Sequence, residues 1–148
     1  MQSLSGFGKH ARSFTFTSDR FDHTSELPPE YNAGNRFYGR DVAELVSAGL
    51  QARGLDGSFF AEAWGWMVHA GGREDRVLEI AIYHNPEGEP ATESDWSLMV
   101  RSLRKEKWLG VLPRFKEEEV DAEAQAALDD VFREAGIHLR REAEDRDA

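Results

Sequence analysis

Residues 35–70 read NRFYGRDVAELVSAGLQARGLDGSFFAEAWGWMVHA, and this stretch sets the architecture of the chain. Residues 40–53 place apolar side chains at three- and four-residue spacing, which predicts an amphipathic helix that ends at Gly54. Residues 61–70 then alternate large apolar side chains with others, which predicts a strand. Since the helix and the strand each have an apolar surface, we expect them to pack together.

The flanking sequence predicts further strands at residues 13–17, 76–84 and 94–103. A glycine-bearing turn at residues 71–75 joins the second of these to the tryptophan-rich strand, which indicates an antiparallel hairpin. Three consecutive strands would share one apolar face, formed by Trp64, Trp66, Val68, Leu78, Ile80, Ile82, Trp96, Leu98 and Val100.

A second amphipathic helix is predicted at residues 121–135, with Asp121 as its N-cap and Gly136 as its end. Before it, residues 104–107 are interpreted as a basic turn, and residues 108–115 as a short edge strand or a packed loop. The predicted fold is therefore α+β: an antiparallel sheet of about four strands with two helices packed on one face, in the order β-α-β-β-β-α.

The length of 148 residues fits one domain with a substantial core. We expect a flexible leader over residues 1–12, a single domain over 13–139 and a charged tail over 140–148. The absence of cysteine excludes disulfides, thiolate metal sites and a cysteine nucleophile. Since no apolar run has the length of a signal peptide or of a membrane span, we expect a soluble cytoplasmic protein.

The net charge is −10, and residues 41–100 and 117–148 each carry −8. So acidic a chain argues against binding to nucleic acid or to an anionic membrane, because attraction to phosphate supplies most of that affinity. It suits a basic protein partner, although acidity can also serve solubility alone.

Motifs for catalysis and for cofactors are lacking in the sequence. The five histidines show no HxxxH or HxH spacing, and GxSxG, GxGxxG and EF-hand patterns are missing. The sequence therefore assigns no catalytic residue, no metal and no cofactor, and it favours a protein that is not an enzyme.

The run Asn35–Asp41, the helix ending at Gly54 and the sequence Trp64-Gly65-Trp66 together resemble small uncharacterised bacterial proteins. In size, acidity, lack of cysteine and α+β composition, the chain is also similar to bacterial immunity or inhibitor proteins. That resemblance implies binding to a basic toxin or nuclease, and it is one of type rather than of motif.

The function favoured by the sequence is a non-catalytic module that presents an acidic surface to a protein partner. The binding residues expected for it lie on and just before the second helix, with an aromatic anchor before them: Glu118, Glu119, Asp129, Asp130 and Trp108. Steep loss of affinity with added salt would fit this hypothesis.

Two basic clusters allow other contacts. Arg36, Tyr38 and Arg40 alternate before the first helix and are candidates for an anion or partner contact, although pairing with surface carboxylates would also account for the arginines. A basic strip lies at Arg101, Arg104, Lys105, Lys107, Trp108 and Arg114. Basic and aromatic residues together are typical of nucleic-acid surfaces, but in this acidic chain pairing with the following acidic helix is favoured.

The second face of the predicted sheet provides the alternative function. A small-molecule-binding protein or an unrecognised enzyme would use a concave pocket formed by Met67, His69, Glu79, Tyr83, Met99 and Arg101. A cover formed by Phe14, Phe16 and residues 108–115 would exclude it. A third possibility is a homodimer that buries the same face.

Overall fold

The computed structural model describes residues 8–18, 20–21, 38–62, 64–73, 75–85, 94–108 and 112–141. Seven strands and two helices occur in these ranges, and every strand pairing is antiparallel, so the predicted α+β class is confirmed. The elements are β1 (Arg12–Ser18), α1 (Arg40–Gln51), β2 (Asp56–Glu62), β3 (Gly65–Arg73), β4 (Arg76–Asn85), β5 (Ser94–Trp108), β6 (Leu112–Glu118), α2 (Ala122–Glu134) and β7 (Arg140–Arg141). Neither of these two helices is long and apolar enough to cross a bilayer.

The strands form one sheet in the order β2-β3-β4-β5-β1-β7, and β6 also pairs with β5. β5 is 15 residues long, and this length allows it to pair with both β1 and β6. Its first half, residues 94–100, pairs with β1, and its second half, residues 102–108, pairs with β6. Strands β1 and β6 therefore follow one another along the same side of β5.

The prediction of about four strands was too low, and one reason is β2. No element was predicted at residues 56–60, and residues 61–62 were interpreted as the start of the next strand. The chain instead reverses between Glu62 and Gly65, which are register partners. Gly65 is required there because a Cβ on it would lie 2.4 Å from the backbone oxygen of Ile82. A close approach of this kind is invisible in a linear pattern.

The second correction concerns the basic segment after residue 103. Residues 104–107 continue β5 instead of forming a turn, because β6 pairs alongside them, from Arg104 with Lys116 to Trp108 with Leu112. The run Glu117–Glu119 was interpreted as a solvated helix flank, but its first two residues are the end of β6. Residues 140–141, assigned to the charged tail, pair with Phe14 and Thr15 as β7.

Both helices pack on the same face of the sheet, as predicted. Gly49 of α1 lies so close to Val131 of α2 that a Cβ would come within 2.6 Å of a valine methyl group. The helices contribute Val42, Ala43, Val46, Leu50, Ala124, Leu128, Val131 and Phe132 to the core. The sheet contributes Phe14, Phe16, Trp66, Val68, Ala70, Leu78, Ile80, Ile82, Trp96, Leu98 and Val100.

The predicted apolar face is thus confirmed except at Trp64. That tryptophan is half-buried in the turn between β2 and β3, outside the core. Both helix ends follow the sequence signals. Gly54 (φ 91°) and Gly136 (φ 76°) adopt the left-handed conformation after the helices. Asp121 Oδ2 accepts a hydrogen bond from the backbone N–H of Ala124 at 3.1 Å, as an N-cap does.

Candidate functional site

The sheet face opposite the helices, called the open face below, carries a line of four ionisable side chains. His69, Glu79 and Arg101 are direct cross-strand neighbours on β3, β4 and β5. His69 Nε2 lies 2.8 Å from Glu79 Oε2, and Arg101 Nε donates to Glu79 Oε1 at 2.8 Å. Arg101 Nη1 lies 3.6 Å from Glu117 Oε1 on β6. These four residues are called the ion row.

Three members of the ion row are sheltered from solvent, whereas the side chain of His69 is 37% exposed. The side chains of Glu79, Arg101 and Glu117 are only 12–14% exposed. Burial by itself raises the pKa of Glu79, but hydrogen bonds from His69 and Arg101 and the charge of Arg101 outweigh it. The pKa therefore lies below its usual value, and the carboxylate stays ionised at neutral pH. A carboxylate so stabilised is a weak base, which disfavours an acid–base role.

Glu117 ends the ion row and holds the chain that leads into β1. Its two carboxylate oxygens accept hydrogen bonds from the backbone N–H groups of Gly8 at 2.8 Å and His10 at 2.9 Å. Residues 8–10 of the predicted leader are thus fixed to β6, and residues 1–7 lie outside the described residues. The ion row therefore has a structural task, since it links four strands to this segment.

Two methionines of the predicted pocket lie next to the ion row, and its tyrosine lies beyond them. Met67 and Met99 occupy the adjacent cross-strand row on either side of Ala81, and Ser13 donates a hydrogen bond to Met99 Sδ at 2.9 Å. Tyr83 lies one row farther along β4. The structure therefore brings the predicted set together on one face. Phe14 and Phe16 face the helices and do not cover it.

Within the described ranges, α2 lines two cavities. One of about 100 Å³ lies between α2 and the residues after α1, and one of about 530 Å³ lies between the end of α2 and β1. Neither contains a residue of the predicted pocket.

The open face also places Ser58 of β2 directly opposite His69. Ser58, His69 and Glu79 have the residue types of a nucleophile, a base and its orienting acid. In the described part of the chain, however, Ser58 makes no hydrogen bond to His69. Two oxygens of Glu79 are already engaged by His69 and Arg101. The arrangement lacks the hydrogen bond that activates a serine.

The acids expected to bind a partner differ in their availability. Glu118 lies between Arg76 (3.3 Å) and Arg104 (3.1 Å), and Asp130 is paired with Arg133. The exposed Asp129 accepts a hydrogen bond from Gln125 at 3.0 Å. Glu119 is exposed. Two of the four carboxylates thus have intramolecular cationic partners.

The basic clusters are also engaged within the molecule. Arg101 and Arg104 pair with Glu117 and Glu118 of β6. The expected pairing was with acids of the following helix. Arg40 lies 3.3 Å from Glu44, and its guanidinium lies 5.7 Å from the ring centre of Phe59. The ring of Tyr38 meets that of His84 edge-on. Arg36 lies outside the described residues, as do the side chains of Lys107, Trp108 and Arg114.

A feature that the sequence interpretation missed is the edge strand β2. Asp56, Ser58, Phe60 and Glu62 lie on the open face, and the side chain of Phe60 remains 38% exposed. Its ring meets His69 edge-on at 5.0 Å. The alternating pattern of DGSFFAE was the available signal, but two adjacent phenylalanines on opposite faces obscured it.

Within the described ranges, no group of three His, Asp or Glu side chains could hold a metal ion. No family model matches the sequence, and neither a curated protein nor a solved structure matches the chain. The assignment of function therefore rests on the chemistry of these surfaces.

Proposed function

We infer that the chain is a non-catalytic binding module that engages a basic protein partner. The observation that carries this inference is the surplus of carboxylates. The chain has 28 Asp and Glu against 18 Lys and Arg, so pairing every base with one acid would still leave ten carboxylates. A surplus of this size attracts a basic protein and accelerates its association.

The state of the ion row supports a binding role over a catalytic one. Glu79 has its two oxygens engaged by His69 and Arg101, and its lowered pKa makes it a poor proton acceptor. Side chains that satisfy one another's charges and hydrogen bonds make a face rigid and give it little chemical reactivity. An inhibitor or immunity-type protein, which neutralises a basic target by covering it, requires no reactive group.

The acids around α2 contribute to the electrostatic attraction of the partner more than to direct contacts with it. Glu118 and Asp130 would have to exchange arginine partners for a new one, which lowers the net gain. Glu119 and Asp129 remain exposed and add to the attraction over a distance limited by salt screening.

The test is capture of host proteins on the immobilised chain at low salt, followed by a salt step and mass spectrometry. We expect one basic protein to elute with salt, and its purified form to lose affinity steeply as ionic strength rises. A complex whose affinity is indifferent to salt would contradict the inference. An acidic protein of similar size serves as the matched control for non-specific capture.

A second candidate is a small-molecule-binding protein that uses the open face. The observation favouring it is Glu79, whose pKa is lowered, on the same face as Met67, Met99 and Tyr83. A perturbed ionisable group near apolar side chains is typical of ligand sites. A ligand screen by thermal shift tests it. Ligands of this face would raise Tm in the wild type and not in Arg101→Met. A homodimer, the third possibility, is tested by the mass in solution.

A further inference from the structure

β2 is the edge strand at one end of the sheet. Within the described ranges β3 is its only strand partner, and residues 56–62 make no other backbone hydrogen bond. On an edge strand, alternate backbone N–H and C=O groups point away from the sheet and can pair with an added strand. The opposite end, β7, offers only two residues for such pairing.

The side chains of β2 define what an added strand would meet. On the face toward α1, Gly57 lies against Ser47 so closely that a Cβ would come within 2.8 Å of its backbone oxygen. On the open face, an exposed aromatic ring at Phe60 lies between Asp56 and Glu62 at the two ends of the strand. An added strand would therefore meet an apolar centre between two carboxylates.

The charges on β2 discriminate between two kinds of added strand, namely β2 of a second copy and a basic segment of another protein. In two-fold antiparallel pairing of β2 with a second copy, the register that pairs all seven residues places Asp56 opposite Glu62 of the other copy, at both ends. Like charges directly opposite one another destabilise a strand pair. A basic strand would instead meet one carboxylate at each end. The edge thus disfavours a second copy and complements a basic segment.

We propose that β2 accepts an extended segment of the basic partner as an additional antiparallel strand of the sheet. Lys or Arg of that segment lies opposite Asp56 and Glu62, and an apolar side chain lies opposite Phe60. Backbone hydrogen bonds supply the affinity, and these three positions supply the specificity. The proposal rests on the proposed function, and it names the docking site within it.

The probe is the peptide acetyl-KVIVTVK-amide, which places lysine opposite both carboxylates and isoleucine opposite Phe60. Hydrogen exchange of the wild-type chain is measured with and without saturating peptide. We expect slower exchange of backbone amides in residues 56–62 and little change in β6 and β7. Peptide binding that leaves exchange in residues 56–62 unchanged would overturn the proposal.

Charge reversal tests the specificity. The variant Asp56→Lys/Glu62→Lys should bind the peptide roughly tenfold more weakly, because two attractive cross-strand pairs become repulsive. The complementary peptide acetyl-EVIVTVE-amide should bind this variant and not the wild type. The matched control Glu119→Lys/Asp129→Lys, which has the same change in net charge, should lose less than about threefold. A larger loss in the control than in the β2 variant would contradict the proposal.

Three further results show whether the docking site, the proposed function or both would be refuted. A basic host protein captured equally by the wild type and by Asp56→Lys/Glu62→Lys would refute the β2 site and leave the function standing. Failure of both the peptide and every basic host protein to bind would refute both. A wild-type dimer in solution with slow exchange in residues 56–62 would identify a second copy as the occupant and refute the proposal.

Discussion

The two faces of the sheet are built from the same strands and are held together in different ways. The face under the helices is a continuous apolar layer in which Phe16, Ile80 and Trp96 are fully buried. The open face carries the ion row, in which Glu79 contacts both His69 and Arg101, and Arg101 also contacts Glu117. Burial of apolar surface is non-directional, whereas ion pairs require defined geometry.

The two faces also differ in their surroundings. The apolar layer packs against α1 and α2 in one core. The open face combines satisfied charges with the exposed ring of Phe60 at its edge.

The largest effect is expected from a substitution under the helices. Phe132→Ala should destabilise the fold by about 3–5 kcal/mol, since Phe132 is 1% exposed and its ring packs 5.3 Å from that of Phe16. Phe60→Ala on the open face, the matched control, should cost less than about 1 kcal/mol. Unfolding in urea measures both. Equal losses would contradict the proposed contrast between the faces.

The next effect is expected in the ion row. Glu79→Gln should destabilise the fold by about 1–3 kcal/mol, because His69 and Arg101 lose a sheltered carboxylate partner. Glu44→Gln, which removes an exposed pair with Arg40, should cost no more than about 0.5 kcal/mol. Urea unfolding at pH 7 provides the comparison, and similar values for the two variants would refute a structural role for the row.

A smaller effect is expected where the sheet passes into α2. Asp121→Ala should cost about 1 kcal/mol, because the N–H of Ala124 loses its capping acceptor. The control is Glu119→Ala at an exposed residue just before the helix, which should leave the free energy of unfolding nearly unchanged. Thermal unfolding followed by circular dichroism measures both variants. A neutral Asp121→Ala would show that the cap contributes nothing to stability.

The smallest effect is a dependence on pH. Since the pKa of Glu79 is lower in the folded chain than in the unfolded chain, its contribution to stability is fully present above the unfolded value of about 4.3. It is lost as the pH falls through the lower folded value. The difference in stability between the wild type and Glu79→Gln should therefore shrink on acidification below about pH 4.3. A constant difference from pH 7 to pH 3.5 would contradict the lowered pKa.

Sequence periodicity was sufficient for the helix-covered face. The spacing of apolar residues in α1 and the alternation at Leu78, Ile80 and Ile82 each reflect which side of an element is buried, and burial repeats with the geometry of the backbone. Gly54, Gly136 and Asp121 were recognised because helix ends have local requirements. These features depend on neighbours within a few residues.

The candidate site was predicted only in part. His69, Glu79 and Arg101 were assigned to one face by alternation, but their contact at 2.8 Å depends on the register of three strands. Glu117 was assigned to a solvated flank, since nothing local shows that β6 folds back along β5. Glu118 was assigned to a partner for the same reason, and the structure pairs it with Arg76 and Arg104.

The sequence by itself determined the α+β class, the two helices with their ends, the apolar face and the excess of negative charge. All of these follow from local spacing or from composition. Only the tertiary structure decided the number of strands, the ion row and the position of β2 at the edge of the described sheet. Those features depend on which distant segments pair, because strand pairing is made by backbone groups that are the same in all residues except proline. The edge that we propose as the docking site is therefore a product of topology.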